Sequence, residues 1–260
     1  MDIIQTPAAT SLIRLYERGV QLNWLGVAGD SISRWLTTPE LMTMEKDLDL
    51  DSTQFIPLNL REPTLARECF MYCCHGDSRH LDSTHSGQVS IKILQVNPDG
   101  TKCRVLWEYG EPNRSPLEIS LHLTSHGAHS VGTGCVVYHC QPLNTMALTE
   151  LLDEETDDLL PELVKCSKPV INMLPDGIGI IPWGMPQPLR PHERMTQEMY
   201  QCMENFMLQV AEHIRYQEAV VLRGEGLICA SRGEREVYNI IQVIERAASI
   251  RLKILAAGGK

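Results

Sequence analysis

Three groups of side chains in this sequence are of types, and at spacings, that could do chemistry. The first is Glu118, His122, His126 and His129. Leu117, Leu121, Thr124 and Ala128 share a side if residues 116–130 form a helix. That helix would carry the carboxylate and all three imidazoles on one face, since residues three and four apart are neighbours. One carboxylate with three imidazoles offers donors for a transition metal. The same face is equally well read as a polar surface satisfied by water or hydrogen bonds. The second group is His139 and Gln141, at the end of the apolar run Cys135-Val136-Val137-Tyr138-His139. If the strand continues, the two side chains point the same way and could grip a cation. Gln141 is the poorer donor, because a neutral amide oxygen binds zinc less well than imidazole. The alternative for His139 is a strand-end histidine bonded to a backbone carbonyl. The third group is Gly224-Glu225-Gly226, an acid between two glycines after the run Ala219–Leu222. Strand ends are where α/β proteins place their sites, although a plain glycine turn reads the same.

The elements that must position these groups follow from periodicity. Residues 8–22 form a helical stripe through Leu12, Leu15, Tyr16, Gly19 and Val20. Gly26–Ser33 is a small-residue turn that enters a strand. Residues 37–62, with Pro39, Pro57 and the acidic Asp47–Asp51 patch, read as an irregular surface excursion. Cys69–Cys74 is a strand. Val89–Val96 alternates with period two, and Asn97-Pro98-Asp99-Gly100 turns it back into Cys103–Trp107 as a hairpin. A helix starts at or after Pro142. Val170–Leu174 reads as a strand, Ile178–Trp183 as a second apolar run, and Pro186, Pro188 and Pro191 as a stiff loop. Residues 196–217 form a long helix. Leu227–Ala230 is a strand, with Ser231 as N-cap of a last helix, 233–257, striped by Val237, Ile240, Ile241, Ile244, Ala247, Ala248 and Leu255. Strands and helices alternate throughout 1–260 without a repeat or linker. One α/β domain is the economical expectation.

Composition narrows the function. The 260 residues carry 23 Lys and Arg against 33 Asp and Glu, a formal charge of −10. No basic run supplies the footprint that a nucleic-acid duplex requires, and aromatics, at 5%, are few for single-strand stacking. An anionic ligand must be drawn by a local site, not by the field of the whole molecule. No stretch approaches the roughly 18 apolar residues of a membrane span. Asp2 stands where a signal peptide needs positive charge, so a cytoplasmic location is expected. The nine cysteines are odd in number, lack a Cys-x-x-Cys pair and read as reduced, mostly buried thiols.

Beyond these patterns lies a resemblance. Val137-Tyr138-His139-Cys140-Gln141-Pro142-Leu143-Asn144-Thr145-Met146-Ala147-Leu148-Thr149 resembles the metal-binding segment of the class II aldolase/adducin family. Leu174-Pro175-Asp176-Gly177-Ile178-Gly179-Ile180-Ile181-Pro182-Trp183 is most similar to the branch of that family that cleaves rhamnulose 1-phosphate. Val220–Gly226, Glu245–Ala248 and Ala256–Gly259 also fit, and the resemblance is good from about 115 to 259. It implies a central, mostly antiparallel sheet flanked by helices, packed as a homotetramer with sites between subunits. It also implies a divalent metal, usually zinc, that acts as a Lewis acid on a hydroxy-ketone, and a glutamate that moves the protons. The products would be dihydroxyacetone phosphate and a short aldehyde.

Carried over residue by residue, the resemblance makes Glu118 the catalytic acid/base and His139 the first metal ligand. Gln141 and Glu225 stand where the family has its second and third histidines, with His122 as a reserve ligand. Such an oxygen-rich set suits Mn²⁺ or Mg²⁺ better than Zn²⁺. The family's phosphate loop falls on Cys73-Cys74-His75-Gly76, followed by Asp77, an acid that would repel a phosphate. Two readings follow: a metal-dependent aldolase-type lyase acting on a ketose 1-phosphate, or a non-catalytic scaffold in which the metal is absent.

Overall fold

The structure is a computed structural model that describes residues 2–24, 30–75, 89–110, 116–129, 131–152, 158–182 and 196–259. Helix α1 (Pro7–Gln21) starts at Thr6, whose hydroxyl accepts from the Ala9 amide, with Pro7 as first helical residue. It leads to strand β1 (Ser31–Trp35), the middle of the sheet. The segment expected to be an irregular excursion is more ordered than its prolines suggest. Thr37 and Glu40 form a reciprocal capping box around Pro39, and this starts helix α2 (Thr38–Met44). Phe55–Pro57 then pairs as the edge strand β2. Strands β3 (Cys69–His75), β4 (Val89–Val96) and β5 (Lys102–Tyr109) follow. The β4–β5 turn needs its glycine: Gly100 has φ +73°, and a Cβ there would lie 2.5 Å from the Glu62 carbonyl carbon.

Helix α3 (Pro116–Ala128) precedes strand β6 (Val136–Cys140) and helix α4 (Leu143–Glu150). Next come helices α5 (Leu159–Cys166) and α6 (Pro169–Met173) and strand β7 (Gly179–Ile181). The expected strand at 170–174 is thus the helix α6. Its run of branched residues suggested β structure, but Pro169 opens a helical turn and Val170 packs into the core beside α5 and the last helix. Helix α7 (Gln197–Tyr216), strands β8 (Ala219–Leu222) and β9 (Gly226–Ser231) and helix α8 (Glu234–Ala256) complete the described chain. Ser231 is not the cap of α8. It ends β9 and donates to Glu218 Oε1, while Gly233 takes the N-cap position.

The strands make one sheet in the order β2-β5-β4-β3-β1-β6-β9-β8-β7, antiparallel except for the parallel pair β7–β8. This is the single α/β architecture expected. One face carries α1, α4, α5, α6 and α8 over the main core of Leu12, Ile32, Tyr138, Val221 and Ile241. The other is covered by α3 and α7, with Leu121, Val137, Phe206 and Ile228 between them. Burial of this apolar surface is the main force holding the layers together. Several sequence features fall outside the described residues: Gly26–Gly29 of the small-residue turn, Trp183, the Pro186–Pro191 loop, and the phosphate-loop positions Gly76 and Asp77.

Candidate functional site

The site forms where α3 crosses the middle of the sheet. From Ile119 to His126 every residue of α3 is buried, so the helix is not a solvated face on any side. Ile119 and Leu123 enter the cluster around Phe70 and Tyr72, and Leu121 enters the α7 cluster. Glu118, His122 and His126, spaced by four, face the sheet. Beneath them lie Ser31 and Ser33 of β1, while Ser31 pairs in register with His139 of β6.

Glu118 is the hub. Its Oε1 accepts from His139 Nδ1–H at 2.7 Å and from the Ser31 hydroxyl at 2.6 Å. Burial pushes the carboxyl up, but the His139 charge and hydrogen bonds from His122 and His139 outweigh it. Glu118 is held well below the usual carboxylate range. For His139, burial favours the neutral ring. The Glu118 charge and hydrogen bond, with Asp30 and Glu225 behind them, override this and raise it to about 9. The other nitrogen, His139 Nε2, is buried with no hydrogen-bond partner among the described residues.

Beside Nε2 lies the start of β9. A Cβ on Gly226 would sit 3.2 Å from Nε2 and 2.5 Å from the Cys140 carbonyl oxygen, so only glycine lets this strand approach. Gly224 takes φ +77°, and between the two glycines Glu225 is half-buried. Burial raises its carboxyl, His139 opposes the rise and Glu118 adds to it. Gln141 lies beyond the end of β6, and its amide N–H donates to the Trp24 carbonyl at 2.6 Å. It is therefore on a turn and does not continue the strand's alternation, contrary to the expected i,i+2 pairing.

His122 is not a reserve ligand. Its Nε2 meets Ser31 Oγ and its Nδ1 meets Ser33 Oγ, both at 2.7 Å, so neither nitrogen is open to a metal. Ser33 Oγ also contacts His126 Nε2 at 2.7 Å. His129 stands apart at the end of α3, with Nδ1 3.7 Å from Cys135 Sγ. The sequence reading missed Ser31 and Ser33, and serine spacing alone carries no signal for them. It also missed Lys92, a fully buried cation on the same sheet face, ion-paired to Glu108 at 3.2 Å.

His139 has the posture of a metal ligand, with one ring nitrogen held by a carboxylate and the other left open. Among the described residues no three His, Cys, Asp or Glu side chains converge to hold an ion. Of the expected donors, the described residues bring the His139 imidazole and the Glu225 carboxylate close enough to shift each other's charge. That set fits an oxygen-preferring divalent cation and falls short of a three-imidazole zinc centre.

Comparison with known proteins bears on the family and the fold. The profile of the family described as "Class II Aldolase and Adducin N-terminal domain" matches residues 90–252. Rhamnulose-1-phosphate aldolase of Klebsiella pneumoniae is 26% identical over 212 residues, spanning 79% of this chain and 70% of that protein. The Yersinia pestis protein of the same name is 25% identical over 235 residues, 89% and 80% of the two chains. Among solved structures, a sugar-phosphate aldolase from Thermotoga maritima superposes with a TM-score of 0.66 at 18% identity, covering 95% and 94% of the two chains. L-fuculose-1-phosphate aldolase from Thermus thermophilus gives 0.52 at 14% identity, covering 96% of each.

Proposed function

Since the chain belongs to the class II aldolase and adducin family, we propose that it is a divalent-cation-dependent aldehyde lyase. In this reading it cleaves a ketose 1-phosphate, rhamnulose 1-phosphate first among them, to dihydroxyacetone phosphate and a short aldehyde. The observation that carries the reading is the Glu118–His139 pair: an ionised carboxylate 2.7 Å from Nδ1 of a buried imidazole whose Nε2 is open. His139 Nε2, Glu225 and Gln141 would hold the cation, with Mn²⁺ or Mg²⁺ preferred to Zn²⁺. When bound, it supplies Lewis-acid polarisation of the hydroxy-ketone oxygens.

The chain's own residues move the proton. Glu118 takes it from the hydroxyl beside the breaking carbon–carbon bond. The aldehyde carbonyl forms, the bonding pair passes to the ketone fragment, and Glu118 returns the proton to that carbon. Hydrogen bonds from Ser31 and His139 keep Glu118 ionised and ready to accept. Sites between the subunits of a tetramer and a cytoplasmic setting belong to the same proposal.

A non-catalytic scaffold is the second reading, favoured by the absence of three convergent His, Cys, Asp or Glu donors among the described residues. Turnover separates the two. Rhamnulose 1-phosphate is offered with Mn²⁺, Mg²⁺ or Zn²⁺, and dihydroxyacetone phosphate is measured. The lyase releases it, loses activity to a chelator, and falls at least about 100-fold as Glu118→Gln with its fold intact. No product with any cation, from this or other ketose 1-phosphates, favours the scaffold.

A further inference from the structure

The polar contacts of α3 with β1 form a single string. Two strand residues rise about 6.7 Å and four helical residues about 6 Å. Ser31 and Ser33 therefore keep step with Glu118, His122 and His126, and hydroxyls and imidazoles interleave. The order is Glu118 Oε1, Ser31 Oγ, His122 Nε2, then His122 Nδ1, Ser33 Oγ, His126 Nε2, with contacts of 2.6, 2.7, 2.7 and 2.7 Å. His122 and His126 are at most 1% exposed.

Proton counting fixes the direction. Glu118 Oε1 already accepts from His139 Nδ1–H, so at 2.6 Å Ser31 gives it its one proton. Ser31 must then accept from His122 Nε2–H, which also faces Glu118 Oε1 at 3.6 Å. Tyr72 sets its ring edge-on to His122, at a centroid distance of 5.4 Å. A neutral His122 with its proton on Nε2 accepts at Nδ1, so Ser33 donates there and in turn accepts from His126 Nε2–H. The string ends at His126 Nδ1, which is buried without a partner among the described residues, beside the Phe70 and Trp35 rings at centroid distances of 5.0 and 6.3 Å. A proton conduit needs an exit at its far end, and this string has none there.

We propose that Ser31, His122, Ser33 and His126 are positioning residues. They form a one-directional string of hydrogen bonds that aims the Glu118 carboxylate, with both imidazoles neutral and protonated on Nε2. Only the effect on turnover rests on the lyase reading; the tautomers are a property of the resting protein.

Long-range ¹⁵N–¹H correlation of the histidine-labelled full chain at pH 7 reads the tautomers directly. The expected spectrum shows His122 and His126 as Nε2–H tautomers. In Ser33→Ala, His122 loses the donor to Nδ1 and its tautomer signals shift, and Ser33→Thr restores them. Where turnover is present, Ser31→Ala lowers kcat about tenfold and Ser33→Ala about threefold, with KM unchanged. An Nδ1–H tautomer or an imidazolium at either histidine of the wild-type protein overturns the proposal. So do His122 signals unmoved by Ser33→Ala, or a Ser31→Ala enzyme with wild-type kcat. A protein inactive on every substrate would defeat the lyase reading alone, since the wild-type spectrum still decides the string.

Discussion

The histidines of the site are pulled in opposite directions, although they lie within one layer of the fold. Burial acts first on all of them and favours the neutral ring. At His139 the adjacent Glu118 charge overcomes it and raises the group to about 9, while His122, His126 and His129 stay depressed. A histidine in the unfolded chain titrates near 6.5. As the pH falls from about 8.5 to 6.5, folded His139 already holds a proton that the unfolded chain does not, so stability rises towards 6.5. Below 6.5 the unfolded chain protonates His122, His126 and His129 while the fold keeps them neutral, and stability falls again. Glu118 stays ionised across this range, and its contribution is lost only as the pH drops below the unfolded carboxylate value near 4.5 and on through its depressed folded value. Metal-free protein, denatured by urea between about pH 5 and pH 8.5, should therefore be most stable near 6.5, with limbs of up to about 1.4 kcal/mol per pH unit for each proton. Stability that climbs steadily to the alkaline end would show that His139 is not held charged by Glu118.

At the level of elements, the turn after β6 is held by a carboxylate from the far end of the chain. Glu245 of α8 accepts from the amide and side chain of Asn144 and from the amide and hydroxyl of Thr145, at 2.6–3.0 Å. It thereby caps the first turn of α4, where backbone amides have no helical partner. Glu245→Ala should cost about 1–3 kcal/mol in chemical denaturation and loosen the Gln141–Pro142 turn beside the site. A loss under about 0.5 kcal/mol would mean that water replaces these bonds readily. The same scale shows what the sequence could tell. The β4–β5 hairpin was legible because Asn97-Pro98-Asp99-Gly100 demands a turn, and α8 because its apolar stripe runs the length of the helix. Helix α6 was not, since four or five apolar residues serve a strand or a helix equally and packing against α5 and α8 decided it. Glu118, His139 and Glu225 could be picked out by residue type. Their partners Ser31 and Ser33 could not, because they matter only once β1 lies beneath α3.

Taken whole, the chain is a family fold with a charge of −10 and no described helix long and apolar enough to cross a membrane. None of its nine cysteines is in a disulfide, and seven are buried. Burial raises those seven thiols, to about 11 at Cys69 and Cys74 and about 12 at Cys103 and Cys135, which suppresses the reactive thiolate. A thiol reagent should modify only the half-exposed Cys166 and Cys202 quickly in native protein and all nine after unfolding. Rapid loss of more than two would mean that the sheet opens readily. The claim on which everything functional depends is cation capture between β6 and the Gly224–Gly226 turn, and calorimetric titration of metal-free protein with Mn²⁺ tests it most directly. The expected result is one equivalent bound by the wild type, weakened at least about tenfold in His139→Ala and in Glu225→Gln. No binding by the wild type, or unchanged binding in both variants, would contradict the account.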